Sequence, residues 1–112
     1  MRSKIPVHNG VCFHCQQCAE KYLKGLLEEL ARPVPRTHNL DDILSLLVSP
    51  HGTLRSLKRG LIFLTRFAVD TRYPGDDASK RQAVAALRWA EQVRAAARTI
   101  LKLPLHPPRR RK

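Results

Sequence analysis

The stretch Cys12-Phe13-His14-Cys15-Gln16-Gln17-Cys18-Ala19-Glu20-Lys21-Tyr22-Leu23-Lys24 decides how the rest of the chain is read. At about 100° per residue, Cys12, Cys15, Ala19, Leu23, Leu26 and Leu30 fall on one stripe, flanked by Tyr22 and Leu27. His14, Gln17, Lys21, Lys24 and Glu28 fall on the opposite side. The pattern predicts an amphipathic helix over roughly residues 10–31, stopped by Pro33 and Pro35. Three thiols at i, i+3 and i+6 of a helix fan over about 120° and climb about 9 Å. One metal ion cannot easily collect them, and no second Cys pair completes a tetrahedral set. No metal is expected, and the thiols read as small core-facing groups. The polar side reads either as a solvated face with ordinary Glu20–Lys24 and Lys24–Glu28 pairs or as a stripe that binds phosphate or a partner.

Working outward, Thr37 or Asn39 caps a short helix over about 40–48, with Asp41 and Asp42 in its first turn, where the macrodipole favours them. Ser49-Pro50-His51-Gly52 breaks it. A third helix is predicted over about 53–73. Its core stripe is Leu54, Leu57, Leu61, Leu64 and Ala68, and its polar stripe is Arg55, Arg59, Arg66, Asp70 and Tyr73. Phe63 and Phe67 stand apart from both, as a possible interface with a second chain. A fourth helix over about 77–102, started by Asp76/Asp77, carries a seam of Ala83, Ala86, Leu87, Ala90, Val93, Ala97 and Leu101. Arg94 projects into that seam. Its stem packs there while its head reaches water or an acid, or else it faces a cleft between helices. The expected fold is all-α, an antiparallel bundle of about four helices over residues 11–102. An irregular segment 1–10 precedes it, and a basic, proline-rich tail 103–112 follows.

The charge balance is 21 Lys+Arg against 9 Asp+Glu, a net +12. The tail Arg109–Lys112 accounts for +4, so the body keeps +8. Such a body favours phosphate-bearing or acidic partners, or serves solubility alone. Aromatic residues are only 5%, which argues against reading single strands by base stacking on a sheet. No apolar run reaches the ~20 residues of a membrane span. The first residues lack a signal-peptide core, and three clustered Cys make no disulfide framework. The reducing cytoplasm is the expected compartment. No phosphate-binding glycine loop, zinc-protease motif or nucleophile elbow is present, and the paired aspartates read as caps. Arg36-Thr37-His38 precedes a helix N-terminus, where backbone N–H groups favour anions.

The string Phe13–Lys24 is very similar to the signature of the HEPN domain family, whose helix reads roughly His-Ala-Gln-Gln-Ala-Ala-Glu-Lys-Ala-Leu-Lys. Cys15 and Cys18 stand where that family usually has alanine. Pro35-Arg36-Thr37-His38-Asn39-Leu40 resembles the family's Thr-His-(Asp/Asn)-Leu loop, and Arg72-Tyr73-Pro74 resembles its Arg-Tyr-Pro helix end. The resemblance implies an all-helical bundle, often dimeric, in prokaryotes frequently encoded beside a minimal nucleotidyltransferase. Some members are RNase toxins; others bind RNA or nucleotides without cleaving them. RNase members use an Arg-x(4–6)-His motif near the end of a long helix. Here no His follows Arg66 or Arg72 at that distance. The formal matches Arg2–His8 and Arg32–His38 lie in irregular sequence and are not read as catalytic. Only about ten residues precede the first helix, whereas the family generally has another helix there. Its absence would leave apolar surface for a partner chain to cover.

The expected function is that of a non-catalytic HEPN module without a cofactor. It would bind nucleotide or RNA, a partner nucleotidyltransferase, or both, in a toxin–antitoxin-like pair. Lys21, Lys24, Arg36, His38, Arg66 and Arg72 are the candidate phosphate contacts, with Tyr73 stacking or hydrogen-bonding beside them. Two alternatives remain. One is an RNase toxin that recruits His38 or His14; the other is a homodimeric scaffold without a ligand.

Overall fold

A computed structural model of the chain describes residues 7–69 and 77–102. It contains α1 (Val7–Glu29), α2 (Leu40–Ser45), a 3-10 helix (Gly52–Leu57), α3 (Lys58–Thr65) and α4 (Lys80–Leu101). No strand occurs among the described residues, so the all-α expectation holds. None of the described helices is long and apolar enough to cross a membrane.

α1 begins at Val7, so residues 7–10 are helical where irregular chain was expected. The reason is tertiary. The Asn9 side chain accepts a hydrogen bond from the Ala78 N–H at 2.6 Å and donates to Asp77 at 3.1 Å. That anchor offsets the cost of Gly10 in a helix. At its other end α1 closes at Ala31, which adopts φ 56°. The Arg32 N–H bonds to the Leu27 carbonyl at 3.0 Å, and the Ala31 N–H to that of Glu28 at 2.9 Å. This is the Schellman closure, with alanine in the position that glycine usually fills. Cys12, Cys15, Ala19, Leu23, Leu26 and Leu27 are buried, so the stripe read from the sequence faces the core. Cys18 is only half-buried.

Asn39 caps α2, its Oδ1 accepting from the N–H groups of Asp41 and Asp42 at 3.0 and 3.4 Å. The single third helix expected over 53–73 is broken in two. Gly52–Leu57 winds as a 3-10 helix before α3. Beyond Thr65 the N–H groups of Arg66, Phe67 and Ala68 bond to carbonyls three residues back. That tightening places Phe67 over Leu64. Phe67 is therefore buried, edge-to-face with Phe63 at 5.3 Å between centroids. The proposed Phe63/Phe67 interface is corrected on this point, because Phe67 is core.

α4 starts later than its acidic prelude suggested. Ser79, not Asp76 or Asp77, is the cap, in a reciprocal capping box with Gln82. Ala83, Ala86, Ala90, Val93 and Ala97 are buried as expected, but Leu87 is exposed and leaves the seam. Arg94 is half-buried, pairs with Glu91 at 3.0 Å and also lines the cleft between α1 and α4, so the two readings of it coincide. The two long helices lie side by side in the same direction. Asn9 meets residues 77–78 at one end, and Arg98 donates to the Tyr22 hydroxyl at 3.4 Å near the other. They are thus parallel neighbours within the bundle, because the three short elements carry the chain back before α4 begins.

Candidate functional site

Gln16 and Glu20 sit one turn apart on α1, beside Leu23 and Leu27. Both are buried, Gln16 fully. Every buried side-chain polar atom among the described residues has a partner, and here the partners come from α1 itself and from His38 in the loop ahead of α2. The Gln16 amide donates to Glu20 Oε1 and to the His38 carbonyl, each at 3.1 Å. Its own oxygen accepts from Gln17 at 2.7 Å. Lys24 Nζ donates to Glu20 Oε2 at 2.9 Å. His38 Nδ1 lies 3.0 and 3.1 Å from the two carboxylate oxygens. An ionised carboxylate only accepts, so Nδ1 carries the proton and donates.

Burial alone would push the Glu20 carboxyl up. The hydrogen bonds from Lys24, His38 and Gln16 outweigh it and hold the group below the usual carboxylate range. The result is a fixed anion, its side chain 10% exposed, that orients two outward-facing groups. The His38 side chain is 64% exposed and that of Lys24 is 23% exposed. With Nδ1 committed to Glu20, the imidazole has Nε2 left for an external partner. Lys24 has three donors and spends one on the carboxylate.

Of the candidate phosphate contacts, Lys24 and His38 are brought together on one carboxylate. Arg36 is exposed on the same loop. Arg66 stands at the adjoining end of α3. Thr65, just before it, accepts from the Leu40 N–H at 2.9 Å, which pins α3 to the start of α2. The Arg66 guanidinium lies over the Phe63 and Phe67 rings at 5.8 and 5.9 Å. Lys21 is not part of this group; it stands toward Cys18, whose thiol feels its charge. Arg72 and Tyr73 lie outside the described residues, as does the tail.

The formal Arg32–His38 match is not a pair in space. Arg32 donates to the Leu46 carbonyl at 3.1 Å, beyond the far end of α2 from His38. The sequence reading missed Gln16 and Glu20 as an organising pair. The signal was present: both lie in the arc beside Leu27, at the edge of the apolar stripe, where a polar group is buried and must find partners.

Two of the three thiols are held above their ordinary range. Burial, with Cys12 and Cys18 as neighbours, pushes the Cys15 thiol up to about 11. Burial also raises Cys18, against the lowering effect of Arg94. Among the described residues no group of three or more His, Cys, Asp or Glu side chains is placed to hold a metal ion.

An all-helical bundle in which a Gln-Gln-x-x-Glu helix clamps a Thr-His-Asn-Leu loop is the architecture on the page. The family model for the HEPN domain matches residues 5–100. The chain belongs to the HEPN domain family. Among curated proteins and among solved structures it has no significant match.

Proposed function

We propose that this HEPN domain is a non-catalytic binding module for a phosphate-bearing ligand, RNA or nucleotide, received at the junction of α1, the loop before α2 and the end of α3. The observation that carries the reading is the buried Glu20 carboxylate holding His38 and Lys24 in fixed, outward-facing positions. Preset donors cost less ordering entropy on binding than free side chains do. Arg36 supplies charge from the same loop, and Arg66 from α3. The body charge of +8 draws a polyanion to the surface in a salt-dependent way. In a paired system, a minimal nucleotidyltransferase or a second copy would complete the assembly.

The test is fluorescence anisotropy of a labelled single-stranded RNA, titrated at several salt concentrations. Affinity is expected to fall steeply with salt, with a log–log slope of about −0.7 per phosphate contact. Arg36→Ala combined with His38→Ala is expected to weaken binding about tenfold and to flatten that slope. Absent binding at low salt, or a double variant that binds like the wild type, overturns the reading.

One observation favours a second reading, an RNase. A carboxylate on Nδ1 with Nε2 left over is the arrangement a general base needs. RNA cleavage that persists in chelator and disappears in His38→Ala would move the protein to that class.

A further inference from the structure

Where α3 and α4 meet, basic residues of the body gather on one outer face. The Trp89 ring of α4 sits against Gly60 of α3, close enough that an added Cβ would overlap it. Consecutive helical residues point about 100° apart. One step past each contact residue is core, since Leu61 and Ala90 are buried. One step before each is an exposed arginine, Arg59 on α3 and Arg88 on α4. In both helices the contact residue therefore separates the core from an arginine, so both arginines stand on the outside of the α3–α4 seam.

Each arginine belongs to a row. Arg55 and Arg59 line one open hollow of about 450 Å³ beside Ile62, and Lys80, Arg81 and Arg88 line another of about 470 Å³ around Val84. None of these five cations has an ion-pair partner among the described residues. Lys58, in the first hollow, is already bound to Asp41. Residues 51–69 contain no acid. The one acid of α4, Glu91, is paired with Arg94 and lines the groove toward α1 instead. Like charges gathered without acids repel, and an anion laid across them relieves the repulsion. Packed helices lie about 8–10 Å apart, and Arg81 to Arg88 spans about 10 Å. The face thus offers two cationic rows on a rigid frame.

What the face has and lacks defines the partner. Four of the five cations are arginines, whose planar forks match phosphate oxygens in pairs. The rings nearest it, Trp89 and Phe63, are half-buried against Gly60 and Phe67, so bases find nothing to stack upon and a single strand has no grip through them. Two large aliphatic side chains, Ile62 and Val84, stand exposed among the cations, too few for the apolar face that seats a helix in a lipid interface. We infer that the outer face of the α3–α4 pair is a second, sequence-independent surface for the phosphodiester backbone of a double-stranded nucleic acid. Its arginines contact phosphates and not base edges. It uses no residue of the α1–α2 junction site, so either site can fail alone.

The test is anisotropy of a labelled RNA duplex of about 16 base pairs on the full chain at low salt. A DNA duplex of the same sequence, run alongside, shows which backbone the rows prefer, and binding of either supports the inference. Arg59→Glu with Arg88→Glu is expected to weaken duplex binding at least tenfold without changing the circular dichroism, because both positions are exposed. Arg55→Gln with Arg81→Gln adds no acid and is expected to flatten the salt dependence by about two phosphate contacts. Lys21→Glu makes the same change in net charge as Arg88→Glu alone and is expected to cost less. Arg36→Ala with His38→Ala is expected to leave the duplex bound. Absent duplex binding by the wild type, or both face variants binding as the wild type does, overturns the inference. So does Lys21→Glu costing as much as Arg88→Glu, or polyglutamate competing as well as unlabelled duplex, since either would reduce the face to diffuse charge. Loss of the duplex in Arg36→Ala with His38→Ala would assign it to the junction instead, and binding of phosphatidylserine vesicles but no duplex would make a membrane surface the occupant.

Discussion

Replacing Glu20 by glutamine tests whether the carboxylate organises this end of the molecule or merely decorates it. The two carboxylate oxygens accept from Gln16, Lys24 and His38 within 2.9–3.1 Å. An amide keeps one acceptor and turns an NH2 group toward a donor. At least one charge-assisted bond is lost, and such bonds are worth about 1.5–3 kcal/mol each. A fully buried ion pair broken on one side costs about 3–5 kcal/mol. Lys24 and His38 are partly exposed and can turn to water, so that figure is a ceiling. The expected loss for Glu20→Gln is therefore about 2–3 kcal/mol at pH 7, or about 10 °C in the thermal midpoint of a domain this size. An exposed helix pair would cost well under 1 kcal/mol. The pH dependence has a defined sign. Glu20 titrates below its ordinary value in the fold, so its stabilisation is complete above 4.5 and is lost as pH falls through the lowered folded value. Urea unfolding of both proteins from pH 7 down to pH 3 should show a gap that is widest at neutral pH and closes in acid. A gap below 0.5 kcal/mol at pH 7, or one that stays constant into acid, refutes the reasoning.

Three further substitutions or treatments probe the frame around the site. A Cβ at Gly60 would overlap the Trp89 ring, so Gly60→Ala should destabilise by about 1–2 kcal/mol despite its better helix propensity, with a shift in Trp89 emission as the ring moves; an unchanged spectrum and midpoint would contradict the contact. Ala31→Gly relieves the left-handed backbone at the end of α1 and should raise stability by about 1 kcal/mol in urea unfolding; a loss of stability would argue against the closure described. With its thiol pushed up to about 11, Cys15 should resist iodoacetamide in the native protein at pH 7.5 and react on unfolding, as read by mass spectrometry of peptides; rapid native labelling would be incompatible with its burial.

Much of the fold was legible because helical periodicity, caps and breakers act locally. The α1 stripe and the Asn39 cap depend only on spacing and on side chains within one turn. What spacing could not reveal came from partners distant in sequence. Val7–Gly10 is helical because Asn9 is held by residues 68 and 69 positions away. Phe67 is core because the chain tightens after α3, which shifts the face by a fraction of a turn. Leu87 lies at the edge of that seam on the helical wheel and stands exposed, because it faces an open groove beside α1.

The same distinction governs the candidate site. Sequence named Lys24 and His38 as candidate phosphate contacts, each on its own account. The fold makes them one unit through Glu20, a residue that periodicity assigned to an ordinary surface pair. This changes what removing a charge means at the site. Removing Lys24 deletes one donor, but removing Glu20 frees the loop that presents His38 and Arg36 together. Binding of a phosphate-bearing ligand should therefore fall further for Glu20→Gln, which raises the net charge by one, than for Lys24→Ala, which lowers it by one. A surface that attracted polyanions by charge alone would show the opposite order. Anisotropy titrations of both variants with the same labelled RNA separate the two, and tighter binding by Glu20→Gln would reduce the basic body to diffuse electrostatics.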